Sequence, residues 1–293
     1  MSNNSKNDPL NIQFFFDERT STLTYVVNKK GESGCIVIDP VTDYDETSGR
    51  VYHESVEAVI KYIKENEYTV EWILETHAHA DHLSGAPYIH RELGGNIGIG
   101  EHISKVQKIF RNTFNMSEDF ADDGSQFSHL FKDGDKLQVS GMNIEILHVP
   151  GHTPADIAYV IEDSVFVGDT LFMPDGGSAR ADFPGGDAGS LFQSAKKILS
   201  FPEHYKIYVC HDYQPNGREL KFQTTVGEQR TSNIHLADGI NESKFVEMRT
   251  NRDKTLGMPK LLIPSIQVNI RAGELPPAEN NGIRYIKIPI NQI

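Results

Sequence analysis

The feature that most constrains this 293-residue chain is the stretch His77-Ala78-His79-Ala80-Asp81-His82, which follows an apolar segment at residues 70–74. The apolar segment predicts a buried strand, and side chains two apart at its exit point the same way. The first two histidines are therefore neighbours, and the aspartate and third histidine follow within one turn. Burying four such side chains together is costly without a metal or a proton network. We interpret the stretch as a metal site; a surface histidine cluster, or a capping aspartate with incidental histidines, is the alternative.

Three later residues of the same chemical kind also follow predicted strands. His152 comes after a strand that ends in Pro-Gly, Asp169 comes after a hairpin, and His211 comes after the apolar residues 207–210. Each alone has an ordinary explanation, as a turn residue, a helix cap or a core histidine. Their common position at strand ends favours one shared site, because loops held by a rigid sheet commonly carry function.

The order of the predicted elements indicates an α/β (α+β) chain folded as an αββα sandwich. Strand-like segments at residues 12–16, 23–27 and 35–39 precede a helix whose apolar residues recur at the helical period. Two hairpins, a helix around Leu191 and a further strand make up the second half. Residues 111–134 are polar and acidic and predict a long excursion. We expect one domain over residues 1–293, with a core at about 12–236 and a C-terminal extension at about 237–293.

Charge and cysteine content narrow the classes of partner. The formal net charge of −13 argues against a nucleic acid or an anionic membrane, because such partners need a basic surface. No apolar run approaches the ~20 residues of a membrane helix, and the first dozen residues resemble no secretory or transit signal. The two cysteines form no framework, so we expect a reduced, cytoplasmic protein. A single disulfide between Cys35 and Cys210 is the alternative.

The residues alone leave one metal ion or two open. Imidazole and carboxylate ligands suit zinc and non-haem iron alike, and two histidines with one carboxylate on one face are typical of Fe(II) oxygenases. The pattern nevertheless holds enough further ligands for a second metal. Cys210 precedes His211 on a strand that places neighbours on opposite faces, so we do not expect a Cys–His nucleophile pair. The histidines interpreted as solvated, structural or packing residues are His53, His90, His102, His129, His148 and His204.

The pattern resembles the metallo-β-lactamase superfamily, in which His-x-His-x-Asp-His is followed by distant His, Asp and His. Within it the chain is most similar to persulfide dioxygenases that act on glutathione persulfide. The stretches that carry this likeness are residues 38–41, 76–82, 150–154, 168–172, 211–213 and 224–236. The resemblance implies one Fe(II) per chain, held by His77, His152 and Asp169. The other ligand-type residues would orient these ligands and water through hydrogen bonds: His79, Asp81, His82 and His211.

The resemblance also implies a pocket for glutathione persulfide, which O₂ and water would oxidise to sulfite and glutathione. Arg180 would bind a substrate carboxylate with its planar fork; the alternative is a surface pair with Asp182. Family members often show Gly-Cys-Gly-Arg before this arginine, whereas this chain has Gly176-Gly177-Ser178-Ala179-Arg180. We expect a homodimer. The expected substrate contacts are Arg180, Tyr213, Arg218 and Lys221, and the expected catalytic residues are Asp81, His82, His211 and Tyr213.

Two other functions stay open. A glyoxalase II-like hydrolase of glutathione thioesters would use all seven ligands to hold two zinc ions and activate a bridging hydroxide. That family shows His-Glu-Tyr where this chain has His211-Asp212-Tyr213, which favours the dioxygenase. A metal- or thiol-sensing module that kept the ligand set is the third function, although the sequence shows no attached DNA-binding or partner domain.

Overall fold

The computed structural model describes residues 10–292. The prediction that the first dozen residues carry no leader falls mainly on residues 1–9, which lie outside the described residues. The strands are β1 (Leu10–Asp17), β2 (Thr22–Lys29), β3 (Gly34–Ile38), β4 (Val41–Asp45), β5 (Arg50–Tyr52), β6 (Thr69–Leu74), β7 (Leu83–Ser84), β8 (Asn96–Gly100), β9 (His129–Phe131), β10 (Lys136–Val139), β11 (Met142–His148), β12 (Ile157–Ile161), β13 (Ser164–Phe166), β14 (Lys206–Tyr208) and β15 (Gln223–Thr225). The helices are α1 (Glu54–Glu65), α2 (Ala86–Leu93), α3 (Ile103–Thr113), α4 (Ala188–Ile198), α5 (Val226–Ser232), α6 (Glu242–Asp253) and α7 (Leu262–Asn269).

Two six-stranded sheets form the centre of the fold. The first has the order β1-β2-β3-β6-β8-β9, and the second has the order β10-β11-β12-β13-β14-β15. In the first sheet β3, β6, β8 and β9 run parallel to one another, whereas the second sheet is antiparallel except where β13 and β14 pair in parallel. A third, three-stranded sheet has the order β5-β4-β7.

The alternating side chains of β2 divide the interior into two cores. Leu23, Tyr25 and Val27 pack in the core that lies between the sheets, and Val26 packs on the other face with α1 and α2. This is the two-residue period of a strand that is buried on both faces. Residues of α4 and α6 join the core on the side of the second sheet. The predicted αββα sandwich is therefore confirmed.

The candidate ligands follow strands at a regular distance. β6 ends three residues before His77, β13 ends three residues before Asp169, and β14 ends three residues before His211. Because β13 and β14 are parallel neighbours, their carboxyl ends lie at the same edge of the sheet. The sheets therefore deliver these side chains to one place without any long loop.

The C-terminal residues pack onto both halves of the fold. Phe245 of α6 contacts Phe192 of α4, with ring centroids 5.5 Å apart. Ile266 of α7 and Ile270 instead join the core beneath α1, α2 and α3. The acidic excursion at 111–134 is also anchored, because three of its four phenylalanines, at 114, 120 and 127, are buried in that same core.

Two expectations from the composition concern a membrane-spanning helix and a disulfide between the two cysteines. No helix between residues 10 and 292 combines the length and apolar content needed to cross a bilayer. Cys35 and Cys210 are both buried and both free, so the alternative of a disulfide between them is not realised.

Gly151 provides a test of how tightly the loop before His152 is packed. Its φ is +145°, and an added Cβ would lie 2.3 Å from the Cα of Leu191 in α4. Gly151→Ala should lower the free energy of unfolding by roughly 1–3 kcal/mol or more, because α4 or the loop must move. Gly134→Ala, also at positive φ but with nothing within 4 Å of the new Cβ, is the matched control. Equal losses of thermal stability in the two variants would contradict the packing described here.

Candidate metal centre

Asp39 fixes the loop that carries the first two histidines. It follows β3 directly with a φ of +49°, and its side chain is buried. The carboxylate accepts hydrogen bonds from the backbone N–H of Thr76 at 2.7 Å and from the Thr76 hydroxyl at 2.8 Å. One of its oxygens also lies 3.0 Å from Nε2 of His79. The exit of β6 is thereby tied to the end of its neighbour β3.

His77, His152 and Asp169 converge on one point. The Asp169 carboxylate lies 3.9 Å from Nε2 of His77 and 3.5 Å from Nε2 of His152. The three ligand atoms all lie within 4.8 Å of one another. Ligands about 2.0–2.2 Å from a shared ion are themselves roughly 3–4 Å apart. The three side chains therefore fit a single metal ion with two nitrogen ligands and one oxygen ligand.

A second group lies against this triad. Asp81 is 3.3 Å from Nε2 of His211 and 3.6 Å from Nδ1 of His82. Nε2 of His211 is also 3.3 Å from the second oxygen of Asp169. Asp169 therefore stands between the two groups, with one oxygen towards each.

Six buried ligand-type atoms of the triad, of the second group and of His79 make no hydrogen bond of normal geometry, although Nε2 of His211 lies 3.3 Å from one oxygen of Asp81 and one oxygen of Asp169. They are Nε2 of His77, Nδ1 of His79, Oδ2 of Asp81, Nε2 of His82, Oδ1 of Asp169 and Nε2 of His211. A buried polar atom left unpaired costs about 1–3 kcal/mol, and native proteins keep few of them. Six at one site are accounted for by a bound cation, and imidazole with carboxylate suits zinc or iron. The donor set therefore fits a metal centre.

Hydrogen bonds at the opposite ring nitrogens aim the triad histidines. Nδ1 of His152 donates to the backbone oxygen of Arg180 at 2.8 Å, which leaves Nε2 as the ligand atom. Nδ1 of His77 lies 3.0 Å from the hydroxyl of Thr76, the same hydroxyl that donates to Asp39. Such partners fix the tautomer and the ring orientation of a metal ligand.

Burial and neighbouring charges set the protonation states. Burial, together with the adjacent imidazoles of His79 and His152, holds the pKa of His77 well below its usual value. Burial alone would raise the pKa of Asp81, but the imidazoles beside it, first that of His211, outweigh burial and lower it. A neutral imidazole and an ionised carboxylate are the forms that bind cations.

Known proteins share this fold and this sequence pattern. Residues 17–211 match the model of the metallo-beta-lactamase superfamily. The chain belongs to this superfamily. Glyoxylase B2 of Dictyostelium discoideum is 48% identical over 100% of this chain and 99% of that protein. The mitochondrial persulfide dioxygenase ETHE1 of Homo sapiens is 28% identical over 92% of this chain and 91% of that protein. The crystal structure of ETHE1 from Myxococcus xanthus superposes with a TM-score of 0.72 at 24% identity, over 90% of this chain and 100% of that one, and so has the same fold.

Three residues of this site were assigned no role from the sequence, although Asp39 lies in the family-like stretch at 38–41. Asp39 and Glu75 are buried carboxylates that lie 3.0 and 3.4 Å from Nε2 of His79. The expectation that Cys210 points away from the histidines is wrong, because its sulfur lies within 4.8 Å of ligand atoms of His79 and His211. β14 ends at Tyr208, so strand alternation no longer governs residue 210. Burial raises the pKa of the Cys210 thiol, which disfavours the nucleophilic thiolate.

A cavity of about 1110 Å³ opens over the candidate metal centre of this chain. Asp81, His152, Asp169 and His211 lie in its floor. Tyr213 forms part of the wall, with its side chain 58% exposed and its ring stacked on His211 at 5.6 Å between centroids. The metal centre is therefore accessible to a sizeable substrate.

The three basic residues that were predicted to bind the substrate differ in whether they line the cavity. Arg180 lines the cavity, but its guanidinium donates to both oxygens of Asp182 at 2.5 and 2.7 Å and to a backbone oxygen at 2.7 Å. Arg218 donates to the carboxylate of Asp212, which also accepts the backbone N–H of Lys221 at 2.7 Å. Within residues 10–292, neither Arg218 nor Lys221 lines the cavity.

Metal binding should stabilise the fold measurably. A ligand at 100 times its dissociation constant adds about 2.7 kcal/mol to the free energy of unfolding, which corresponds to a rise in Tm of roughly 4–5 °C for a chain of this size. Removing metal with a chelator should lower Tm by this amount, and adding Fe(II) or Zn(II) should restore it. His204→Ala, at an exposed histidine, should respond like the original protein. A Tm that does not change with metal would contradict the interpretation of the six unpartnered atoms.

Proposed function

We propose that this chain is an iron-dependent persulfide dioxygenase that uses O₂ and water to convert glutathione persulfide into sulfite and glutathione. The observation that carries the proposal is the convergence of His77, His152 and the Asp169 carboxylate within 4.8 Å, beneath an open cavity. Two histidines and one carboxylate with open positions are typical of Fe(II) oxygenases. Similarity to human persulfide dioxygenase over 92% of the chain supports the same reaction.

The proposed reaction balances with one O₂ and one water per persulfide. The terminal sulfur is oxidised by four electrons to sulfite, and the four electrons reduce O₂. The sulfur–sulfur bond breaks, and the inner sulfur leaves as the thiol of glutathione. Bound iron would supply the open coordination positions and the redox chemistry that this oxidation needs.

We assign the handling of water and protons to the group beside the triad. Asp81 is held ionised between His82 and His211 and lines the cavity floor, so its carboxylate can accept a hydrogen bond from the attacking water and orient it. His211, 3.3 Å from Asp81, is the group that can exchange the proton. Tyr213, stacked on His211, presents its hydroxyl to the cavity as a neutral hydrogen-bond donor.

The cavity lining holds more carboxylates than basic residues, so only basic residues without a carboxylate partner can bind the two carboxylates of the substrate. Arg252 and Lys260 line the cavity, and no carboxylate in the described part of the chain comes within 4.0 Å of either charge. Asp45 and Glu46 lie on the cavity wall as well and can receive an ammonium group. Since Arg180 is already bound to Asp182, we propose that Arg252 and Lys260 make the main carboxylate contacts and that Arg180 supports them.

The second candidate is a two-metal hydrolase of glutathione thioesters. The observation that favours it is that His79, Asp81, His82 and His211 each keep a buried atom without a partner, as further metal ligands would. The name of a 48% identical relative, glyoxylase B2, also supports this chemistry. Two ions held by these residues would polarise the thioester and activate water as the nucleophile.

We also propose that the chain forms a single domain, because the helices after residue 236 are buried in the same two cores as the rest of the chain. Ile288 and Ile290, which are 66% and 74% exposed, supply apolar surface for a homodimer. Two buried free cysteines are consistent with a cytoplasmic location, where thiols stay reduced.

A paired assay distinguishes the two candidate reactions. Iron-loaded protein should consume one O₂ per glutathione persulfide and release sulfite, and it should leave S-lactoylglutathione intact. Asp169→Asn, which removes the charge of the carboxylate ligand at constant size, should lose O₂ uptake. Persulfide turnover without O₂ uptake, or rapid thioester hydrolysis by the same preparation, would contradict the dioxygenase.

Metal content should separate the triad from its neighbours. His77→Ala, His152→Ala and Asp169→Ala should each lose the single iron, because each removes a ligand. His211→Ala should keep it with affinity reduced by ~10–100-fold at most, as changes beside a metal site typically do. Elemental analysis of anaerobically prepared protein measures this. Equal loss in all four variants, or two metal ions in the active protein, would contradict the mononuclear site.

Steady-state kinetics test whether the basic residues of the cavity bind the substrate. Hydrogen bonds to charged groups contribute ~1.5–3 kcal/mol, so Arg252→Ala should lower kcat/KM by roughly 10-fold, and the exposure of Arg252 places it at the low end of that range. KM should carry most of the loss, because the contact lies away from the reacting sulfur. Lys254→Ala removes a nearby exposed charge that does not line the cavity and should have little effect. An unchanged KM in the Arg252 variant would contradict its role.

A further inference from the structure

One side chain from the C-terminal end of the chain binds the backbone of the ligand turn at residues 79–84. Asn269 is the last residue of α7. Its amide group donates to the backbone oxygen of His79 at 2.8 Å and to that of His82 at 2.7 Å. Its oxygen accepts the backbone N–H of Ser84 at 2.8 Å. Asn269 is 4% exposed, so these three bonds form without competition from bulk water.

The ligand turn depends on these bonds because its own backbone has few alternatives. His79 and His82 are fully buried and lie between β6 and β7, outside any strand or helix. Buried backbone groups outside regular structure must find side-chain or water partners. Only an amide side chain can donate twice and accept once in this geometry. A carboxylate or an aliphatic chain of the same size would leave both carbonyl groups unpaired.

The same contact reaches the ring of His79 by a second route. Ser84 places its hydroxyl on one oxygen of Glu75, and the other oxygen of Glu75 lies 3.4 Å from Nε2 of His79. Asn269 therefore holds the backbone at both ends of the turn, and through Ser84 it touches the carboxylate that backs the histidine. The ligand-type side chains between these two ends are His79, Asp81 and His82.

We propose that Asn269 is a positioning residue of the metal centre, which sets metal affinity by fixing the ligand turn. The region that matches the superfamily model ends at residue 211, so this contact comes from outside it. It makes the C-terminal extension part of the metal site. The inference rests on metal binding at the site and not on which reaction the metal serves: the turn either supplies ligands to a second ion or supports the triad through the ring of His79, whose centroid lies 4.0 Å from that of His77.

Gln267 offers a matched control on the same helix. It is buried to the same degree as Asn269, and its amide also makes three hydrogen bonds. These bonds bind the backbone oxygen of Ile263 and the backbone N–H and oxygen of Lys287, not the ligand turn. Gln267→Leu therefore removes a comparable amide from α7 without touching the metal centre.

The test compares cobalt binding by Asn269→Asp, Asn269→Leu and Gln267→Leu. Co(II) is used because its visible spectrum reports ligand geometry and its binding needs no turnover. Both Asn269 variants should bind Co(II) ~10–100-fold more weakly, the size of effect typical of residues that orient ligands, and should show an altered spectrum. Gln267→Leu should lower Tm yet keep the original affinity and spectrum. Original affinity and spectrum in the Asn269 variants would overturn the proposal, and so would an equal loss in Gln267→Leu.

Amide exchange in the unaltered protein provides a second measurement if the Asn269 variants do not fold. The proposal expects the backbone N–H of Ser84 to be protected in metal-free protein, because Asn269 holds it without the ion. Rapid exchange that slows only when metal is added would overturn the proposal, since the metal itself would then organise the turn. Neither measurement uses a persulfide or a thioester, so a failure of the proposed reaction leaves this test unaffected.

Discussion

The removal of several imidazoles and carboxylates from water at one edge of the sandwich is the constraint on which the rest of the structure depends. Six ligand atoms there make no hydrogen bond, and together they would cost about as much as the whole free energy of unfolding of a typical domain. A cation compensates for this cost, and rigid strands keep the atoms close enough to share it. Asp39 shows the consequence in detail, because one carboxylate ties two strands together and also backs His79.

Much of this site could be predicted from the sequence, because its ligands follow strands that have clear apolar patterns. His77, Asp169 and His211 each come three residues after a strand end, so strand prediction alone places them. Asp39 and Glu75 also follow strands, but a single carboxylate after a strand is too common to single out. Contacts between residues that are far apart in the chain leave no recognisable pattern in the sequence around either residue. Asn269 lies about 190 residues from the turn that it binds, and nothing in the pattern around it points there.

The two candidate reactions differ in what the second group of ligands does. If Asp81, His82 and His211 satisfy one another and a water molecule, the triad alone would hold one iron beneath the cavity. If they bind a second ion, Asp169 could serve both groups, because one of its oxygens lies towards each. The fold is the same in both cases, so the fold cannot decide the reaction.

The most direct test of the metal centre is anomalous diffraction from crystals of the active, iron-loaded protein, recorded on both sides of the iron absorption edge. The mononuclear account predicts one peak per chain, bounded by Nε2 of His77, Nε2 of His152 and the Asp169 carboxylate. A second peak of similar height between Asp81, His82 and His211 would contradict it and would favour the two-metal hydrolase. The absence of any peak at the triad in active protein would contradict both.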